Sequence, residues 1–256
     1  MTSGRPHDGR TASPAALTTL LAGAEHVLFD FDGPLAHLFA GHPAPQVAAV
    51  LRERVASWET PGRPPGDPAG DPAGIRLTSP TDPFQVLADV ARAYRGRPAY
   101  DYRVAELDKL LGEHEAIAAG SAQPTAHARD LVRALVNQGR VLSVTTNNTA
   151  AAVSGYLEAQ GLADCFGARV HGRRHARPEL MKPHPSCLRE AMRRTGATAD
   201  SCLMVGDSVS DFEAARAVGV PFLGFARTAR KRGLLADAGA AHVVAGLAPV
   251  LDAVKA

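Results

Sequence analysis

The stretch His26-Val27-Leu28-Phe29-Asp30-Phe31-Asp32-Gly33-Pro34-Leu35 decides how this chain is read. Val27, Leu28 and Phe29 form a short apolar, β-prone run, long enough for a buried strand. The run stops at two aspartates separated by one residue, and Gly33-Pro34 then forces a turn. Side chains alternate across a strand, so Asp30 and Asp32 would share one side if the strand continued. Two carboxylates at a strand mouth repel each other unless a cation lies between them. Mg²⁺ suits the place, because it takes hard oxygen ligands and keeps waters that a phosphate can replace. Taken alone, such a DxDG also fits a solvated strand-end turn.

Three further segments bear on that choice. Val141-Leu142-Ser143-Val144-Thr145 is a second β-prone run and ends in Thr146-Asn147-Asn148. Glu179-Leu180-Met181-Lys182-Pro183-His184-Pro185 places one lysine before a proline-started helix. Cys202-Leu203-Met204-Val205 is a third apolar run, followed by Gly206-Asp207-Ser208-Val209-Ser210-Asp211. In this order the four segments resemble motifs I to IV of the haloacid dehalogenase superfamily, in its phosphoglycolate phosphatase-like branch with a C1 cap. The resemblance runs from residue 26 to about residue 245. Each motif is weak singly; four in order, at plausible distances, disfavour the solvated turn.

Composition sets the outer bounds. The chain has 256 residues, enough for one large domain or a core with a small second one. Its apolar share of 45% is ordinary for a globular protein. A formal charge of +2 is too small to argue for nucleic acid or membrane partners. Lys109, Lys182, Lys231 and Lys255 are the only lysines among many arginines, which makes Lys182 more noticeable. Cys165, Cys187 and Cys202 form no CxxC, so neither a disulfide framework nor a zinc site is expected. Cys202 reads as buried filler. No apolar block suggests a signal peptide or a membrane span, so the expected place is the reducing cytoplasm, as monomer or homodimer.

Along the chain, residues 1–13 are expected to be a disordered tail. A core of 14–35 and 121–256 is then interrupted by a helical insertion, 36–120. Val47, Val50, Leu51, Val55 and Trp58 lie at helical spacing. Asp82-Pro83 makes a helix start ahead of Phe84, Leu87, Val90, Ala91 and Tyr94. A third helix from about Tyr102 carries Val104, Leu107, Leu111 and Ile117. Trp58 and the tyrosines read as core of this insertion. Gly66-Asp67-Pro68-Ala69 is repeated at once as residues 70–73, which within the Pro/Gly-rich stretch 60–83 reads as a flexible connector with solvated aspartates. From Pro124 onward, short strands alternate with helices. That pattern gives an α/β fold: a doubly wound parallel sheet whose ligand site lies outside the carboxyl ends of the strands. The run Arg169, His171, Arg173, Arg174, His175 and Arg177 reads as a solvated basic loop that also helps attract an anion. Arg227 to Ala238 reads as a basic helix with a solvent-exposed face.

The resemblance implies a chemistry. Asp30 would be the nucleophile that forms an aspartyl-phosphate. Asp32 would protonate the leaving alkoxide and then activate water. Thr146, in preference to Thr145, would bond a phosphoryl oxygen, with Asn147 as a further phosphate-binding residue. Lys182 would supply a cation to the nucleophile and the phosphoryl group. Mg²⁺ would be held by the Asp30 carboxylate, the Asp32 carbonyl and Asp207, with Asp211 behind them orienting a metal-bound water. The insertion would be the lid that selects a small phosphoester. Pro34, where many members have Thr, changes the turn's rigidity and not its chemistry.

The expected activity is therefore Mg²⁺-dependent hydrolysis of a small phosphomonoester. A phosphomutase of the same superfamily and a non-catalytic phosphometabolite-binding protein are the alternatives. Dehalogenation is disfavoured by Asp32, since it has no alkoxide to protonate. A phosphonatase would need a cap lysine, and Lys109 is the one available, on what looks like an exposed helical turn.

Overall fold

A computed structural model describes residues 11–58, 75–97 and 99–256. The expected tail falls mostly, and the 66–73 repeat wholly, outside the described residues. The run Val27–Phe29 forms β1 (His26–Phe29), and the runs before Thr146 and Asp207 form β4 (Val141–Thr145) and β6 (Cys202–Gly206). With β5 (Val170–His171), β7 (Phe222–Phe225) and β8 (Val243–Val244) they make a parallel six-stranded sheet in the order β5-β4-β1-β6-β7-β8. The chain starts at the centre, builds outward through β4 and β5, then crosses to β6, β7 and β8. The doubly wound sheet is thus as the sequence predicts, and its switch point is β1.

Both faces of the sheet are covered, which is why its strands are continuous apolar runs and not alternating ones. Val27, Phe29, Leu142, Val144, Leu203 and Val205 pack under α1 (Pro14–Ala22), α5 (Ala128–Asn137), α6 (Ala150–Ala159), α7 (Ala163–Phe166) and α11 (Ala248–Lys255). Leu28, Cys202 and Met204 face α8 (Ser186–Thr195), α9 (Val209–Arg216) and α10 (Ala229–Asp237) on the other side. Phe29 and Leu28 are at most 1% exposed, and each such side chain contributes about 1.5–3 kcal/mol by leaving water.

The insertion leaves the core through β2 (Ala36–His37) and returns through β3 (Gln123–Pro124). These two pair antiparallel, Ala36 with Pro124 and His37 with Gln123. Between them lie α2 (Ala44–Trp58), α3 (Pro83–Tyr94) and α4 (Tyr100–Ser121). They share a hydrophobic cluster of their own, which includes Val47, Leu51, Leu87, Val90, Leu107 and Leu111. Trp58 and Tyr94 meet edge to face at 5.9 Å. Asp82 caps α3 by accepting from the amides of Phe84 and Gln85, and Pro83 occupies the first turn.

Two details differ from the sequence reading. Ile117 is 58% exposed and Tyr102 is 49% exposed, so neither belongs to that core. The buried stripe of α4 runs Val104, Leu107, Asp108, Leu111, Glu115 and Ala118, and Ile117 falls off it. Two acids therefore occupy core-facing turns of this helix. Its last part also leaves the insertion's cluster, since Ala118 packs in the main core.

Candidate active site

The sheet brings the motif residues to one level. Phe29 is in register with Val144 on one side and Val205 on the other. One residue beyond that row stand Asp30, Thr145 and Gly206, and their successors turn away into loops at the carboxyl ends of the strands. Asp30, Asp32, Thr146, Asn147, Lys182, Asp207 and Asp211 all line one cleft of about 560 Å³. Asp82, Phe84, Gln85 and Arg92 of the insertion line it as well.

Local structure holds each group. The Asp30 amide extends the ladder by donating to the Val205 carbonyl at 2.8 Å. Asp32 Oδ1 accepts from the Leu38 amide at 3.1 Å, so the turn is fixed from its far side. Gly33 has φ +111°, and a Cβ there would stand 2.6 Å from the Asp207 carboxylate. Glycine alone lets the loop close so tightly on that side chain. Ser208 and Asp211 form a reciprocal capping box at the start of α9.

Lys182, 6% exposed, is the hub of the site. Its ammonium donates to Asp30 Oδ1 at 2.8 Å, to the Thr145 carbonyl at 2.9 Å, and to Asp211 Oδ1. Its backbone is clamped by Asn147, whose Oδ1 accepts from the Lys182 amide at 2.7 Å and whose Nδ2 donates to the Lys182 carbonyl at 3.2 Å. The Asn147 side chain is therefore engaged with the lysine that it positions. Thr146 Oγ1 donates to Asn148 Oδ1 at 2.9 Å and lines the cleft. The Thr145 hydroxyl instead points to the Met204 sulfur at 3.4 Å.

The electrostatics follow from burial. Burial, and then the Asp211 charge, pushes the Asp30 carboxyl up to about 8. Burial raises Asp32 as well, against the Leu38 amide and Lys231. Asp207 is pushed up to about 6 by burial, with Lys231 pulling the other way. Burial opposes the charge on Lys182, but Asp211 and Asp30 outweigh it and hold the ammonium above its ordinary value.

Three carboxylates crowded at one point invite a further cation. One oxygen each of Asp30, Asp207 and Asp211 lies within 4.8 Å of the others. Asp211 is already saturated. Oδ1 takes the lysine, while Oδ2 takes the amides of Asp207 and Ser208 and the Ser208 hydroxyl. That leaves Asp30 and Asp207 to face a metal, a hard oxygen set that suits Mg²⁺. Lys231 rests its ammonium on Asp207 Oδ2, a cation drawn to this same point.

The sequence reading placed Lys231 on an exposed helix face, and the structure corrects it: the side chain is half exposed but reaches into the site. The basic run is corrected too. Arg169 donates to the carbonyls of Leu142 and Cys165, His171 is buried and the Arg173 side chain is enclosed, so only Arg174, His175 and Arg177 are exposed as that reading expects. The signal for Arg173 was present in the two acids on the apolar stripe of α4. Lys109 is 76% exposed and pairs with Glu113, on the outside of its helix.

Comparisons with known proteins give the family. The family model described as haloacid dehalogenase-like hydrolase matches residues 24–219. The chain belongs to that family. A phosphoglycolate phosphatase of Rhodospirillum rubrum is 38% identical over 119 residues, 46% of this chain and 47% of that protein. One from Escherichia coli (strain K12) is 35% identical over 98 residues, 38% of each. The chain thus spans about half, or less, of the length of these relatives. Among solved structures, a predicted phosphatase from Clostridium acetobutylicum superposes with a TM-score of 0.64 at 17% identity, over 90% of this chain and 97% of that one. A mutant of CbbY from Rhodobacter sphaeroides, in complex with xylulose-(1,5)bisphosphate, does so with a TM-score of 0.60 at 18% identity, over 88% and 95%. At such identities these two speak for the fold.

Proposed function

We propose that this chain is a Mg²⁺-dependent phosphomonoester hydrolase acting on a small phosphorylated metabolite through an aspartyl-phosphate at Asp30. The observation that carries the reading is the Lys182 ammonium bonded at once to Asp30 and Asp211, in a cleft shared with Asp32, Thr146 and Asp207.

An Asp30 carboxylate oxygen attacks phosphorus as the bond to the leaving oxygen breaks. Lys182 favours the ionised form of the attacking carboxylate against burial and aims it, and Thr146 bonds a phosphoryl oxygen. Asp32, whose carboxyl is raised by burial, gives its proton to the departing alkoxide. It then takes a proton from water, which attacks phosphorus and frees Asp30 and inorganic phosphate. Asp30, Asp207 and the Asp32 carbonyl would hold Mg²⁺, which would supply charge neutralisation at the phosphoryl oxygens. Asp211 holds Lys182 and the Asp207 loop in place.

We assign residues 36–120 as the cap, since α3 lines the cleft that holds the carboxylates and lids of this kind exclude water and select substrate. Phosphoglycolate is the first substrate to try, because the matched relatives are phosphoglycolate phosphatases. Three free cysteines suit a reducing compartment, and on that ground we place the chain in the cytoplasm.

The test is phosphate release from phosphoglycolate, sugar phosphates and nucleotides, with Mg²⁺ and with chelator. Stoichiometric phosphate that needs Mg²⁺ is expected. An isomeric phosphoester without free phosphate would replace this reading by the mutase, and binding without turnover by the binding protein.

A further inference from the structure

We propose that Arg173 is a positioning residue for loop 146–149, through which the last helix of the insertion sets the geometry of Thr146 and Lys182. The proposal rests on the functional reading above for what that geometry is used for.

The Arg173 side chain is 1% exposed, and its fork joins three segments. Nε donates to Asp108 Oδ1 at 2.5 Å. Nη1 donates to Glu115 Oε1 at 2.8 Å and to the Asn147 carbonyl at 2.6 Å. The Arg173 amide adds a bond to the Asn148 carbonyl at 2.8 Å. Glu115 closes the ring: its Oε2 accepts from the Thr149 amide at 2.9 Å, and its Oε1 from Asn148 Nδ2 at 3.4 Å. Both acids belong to α4, whereas the guanidinium and the loop belong to the core.

From this ring two short routes lead into the cleft. Asn148 holds the Thr146 hydroxyl, through its Oδ1 at 2.9 Å and its amide at 3.1 Å. Asn147 clamps the Lys182 backbone. The backbone of the Arg173 segment is also pressed onto the loop, because a Cβ on Gly172 would come within 2.4 Å of the Ala150 nitrogen. Loop 146–149 is thus held from one side by β4 and from the other by a cation that α4 neutralises.

The chemistry demands arginine. A planar fork can bond two carboxylates and a carbonyl in fixed directions, which an ammonium point charge cannot do. Burial works against the guanidinium charge, but Glu115 and Asp108 outweigh it and hold Arg173 firmly protonated. Removing the cation outright would strand two buried carboxylates and endanger the fold. Conservative changes are therefore the informative ones.

The experiment uses the full chain with Arg173→Lys, and Glu115→Gln should the first not fold. Hydrogen exchange is followed by mass spectrometry in peptides covering 145–149 and in β1. Hydrolysis of 4-nitrophenyl phosphate is measured in each variant, alone and combined with Thr146→Val. The expected result is faster exchange in 145–149 with β1 unchanged. Turnover should fall about 10- to 100-fold with little change in KM, and the loss should be smaller in the Thr146→Val background, where the route through Asn148 has nothing left to position. Unchanged exchange in 145–149, equal acceleration everywhere, or losses that multiply with Thr146→Val would overturn the proposal. If the wild type hydrolyses no phosphoester, the functional reading fails, while exchange still decides whether Arg173 holds the loop.

Discussion

Lys231, on α10, lays its ammonium on Asp207 Oδ2, at the loop after β6. The lysine side chain is 51% exposed and the aspartate 14%. With its lysine half in solvent the pair is a weak one, and a divalent cation facing Asp207 would compete with it.

Lys231→Met is therefore expected to tighten Mg²⁺ binding at pH 8 by about two- to fivefold, in line with about 0.2–1 kcal/mol for an exposed pair. Titration calorimetry with MgCl₂ measures it. Weaker binding in the variant would mean that Lys231 supports the metal and does not compete with it.

The carboxyls near 8 and 6 on Asp30 and Asp207 make metal binding pH-dependent. Both folded values lie above the ordinary 3.8, so without metal the folded chain keeps protons that the unfolded chain gives up. Their contribution to stability is full below 3.8 and is lost as pH rises through 6 and 8. Mg²⁺ must displace those protons, so its stabilising effect grows over the same range. At a concentration of about 100 Kd at pH 8, binding contributes about 2.7 kcal/mol, a rise in Tm of several degrees, and much less at pH 5. Equal shifts at both pH values would remove these carboxylates as ligands.

Asp30→Asn should abolish turnover and keep the fold, because the amide replaces the carboxylate in shape but not as nucleophile. Circular dichroism and a phosphate assay on protein freed of contaminating phosphatases check both halves. Residual activity within about 10²-fold of wild type would move the nucleophile elsewhere.

Asp32→Asn should discriminate between leaving groups. Proton donation contributes about 10²–10⁴-fold where the leaving group is a poor one. Sugar alkoxides need that proton and nitrophenolate leaves without it, so the variant should lose far more activity on sugar phosphates. Equal losses on both would end the general-acid assignment for Asp32.

Much of this site is legible in the chain because each group follows an apolar run at once. Val27–Phe29, Val141–Val144 and Cys202–Val205 read as buried strands by their length and β-prone residues, and a parallel sheet brings their carboxyl ends together. Asp30, Thr146 and Asp207 therefore converge for reasons of topology alone. Arg173 and Lys231 were not legible in the same way. Their partners lie 65 and 58 residues away in one case and 24 in the other, and no local pattern joins them. Asp108 and Glu115 did leave a trace, since they sit on the apolar stripe of a helix and buried acids need a cation. Reading that stripe by its acids, instead of extending it to Ile117, would have pointed to a buried arginine.

The pairing of Ala36 and His37 with Pro124 and Gln123 brings the two chain crossings of the insertion together in one clasp. A segment fastened at both ends of one short ladder behaves as a cassette. Its length can change at a cost of about 0.6 kcal/mol per doubling of a flexible loop, without shifting β1 against β4 or β6. Specificity can then evolve, or be engineered, by exchanging the cassette while the carboxylates and Lys182 stay where they are. The tie through Arg173 sets the condition on such exchange: a transplanted cassette must bring acids that reach it, or arrive together with a neutral residue at 173.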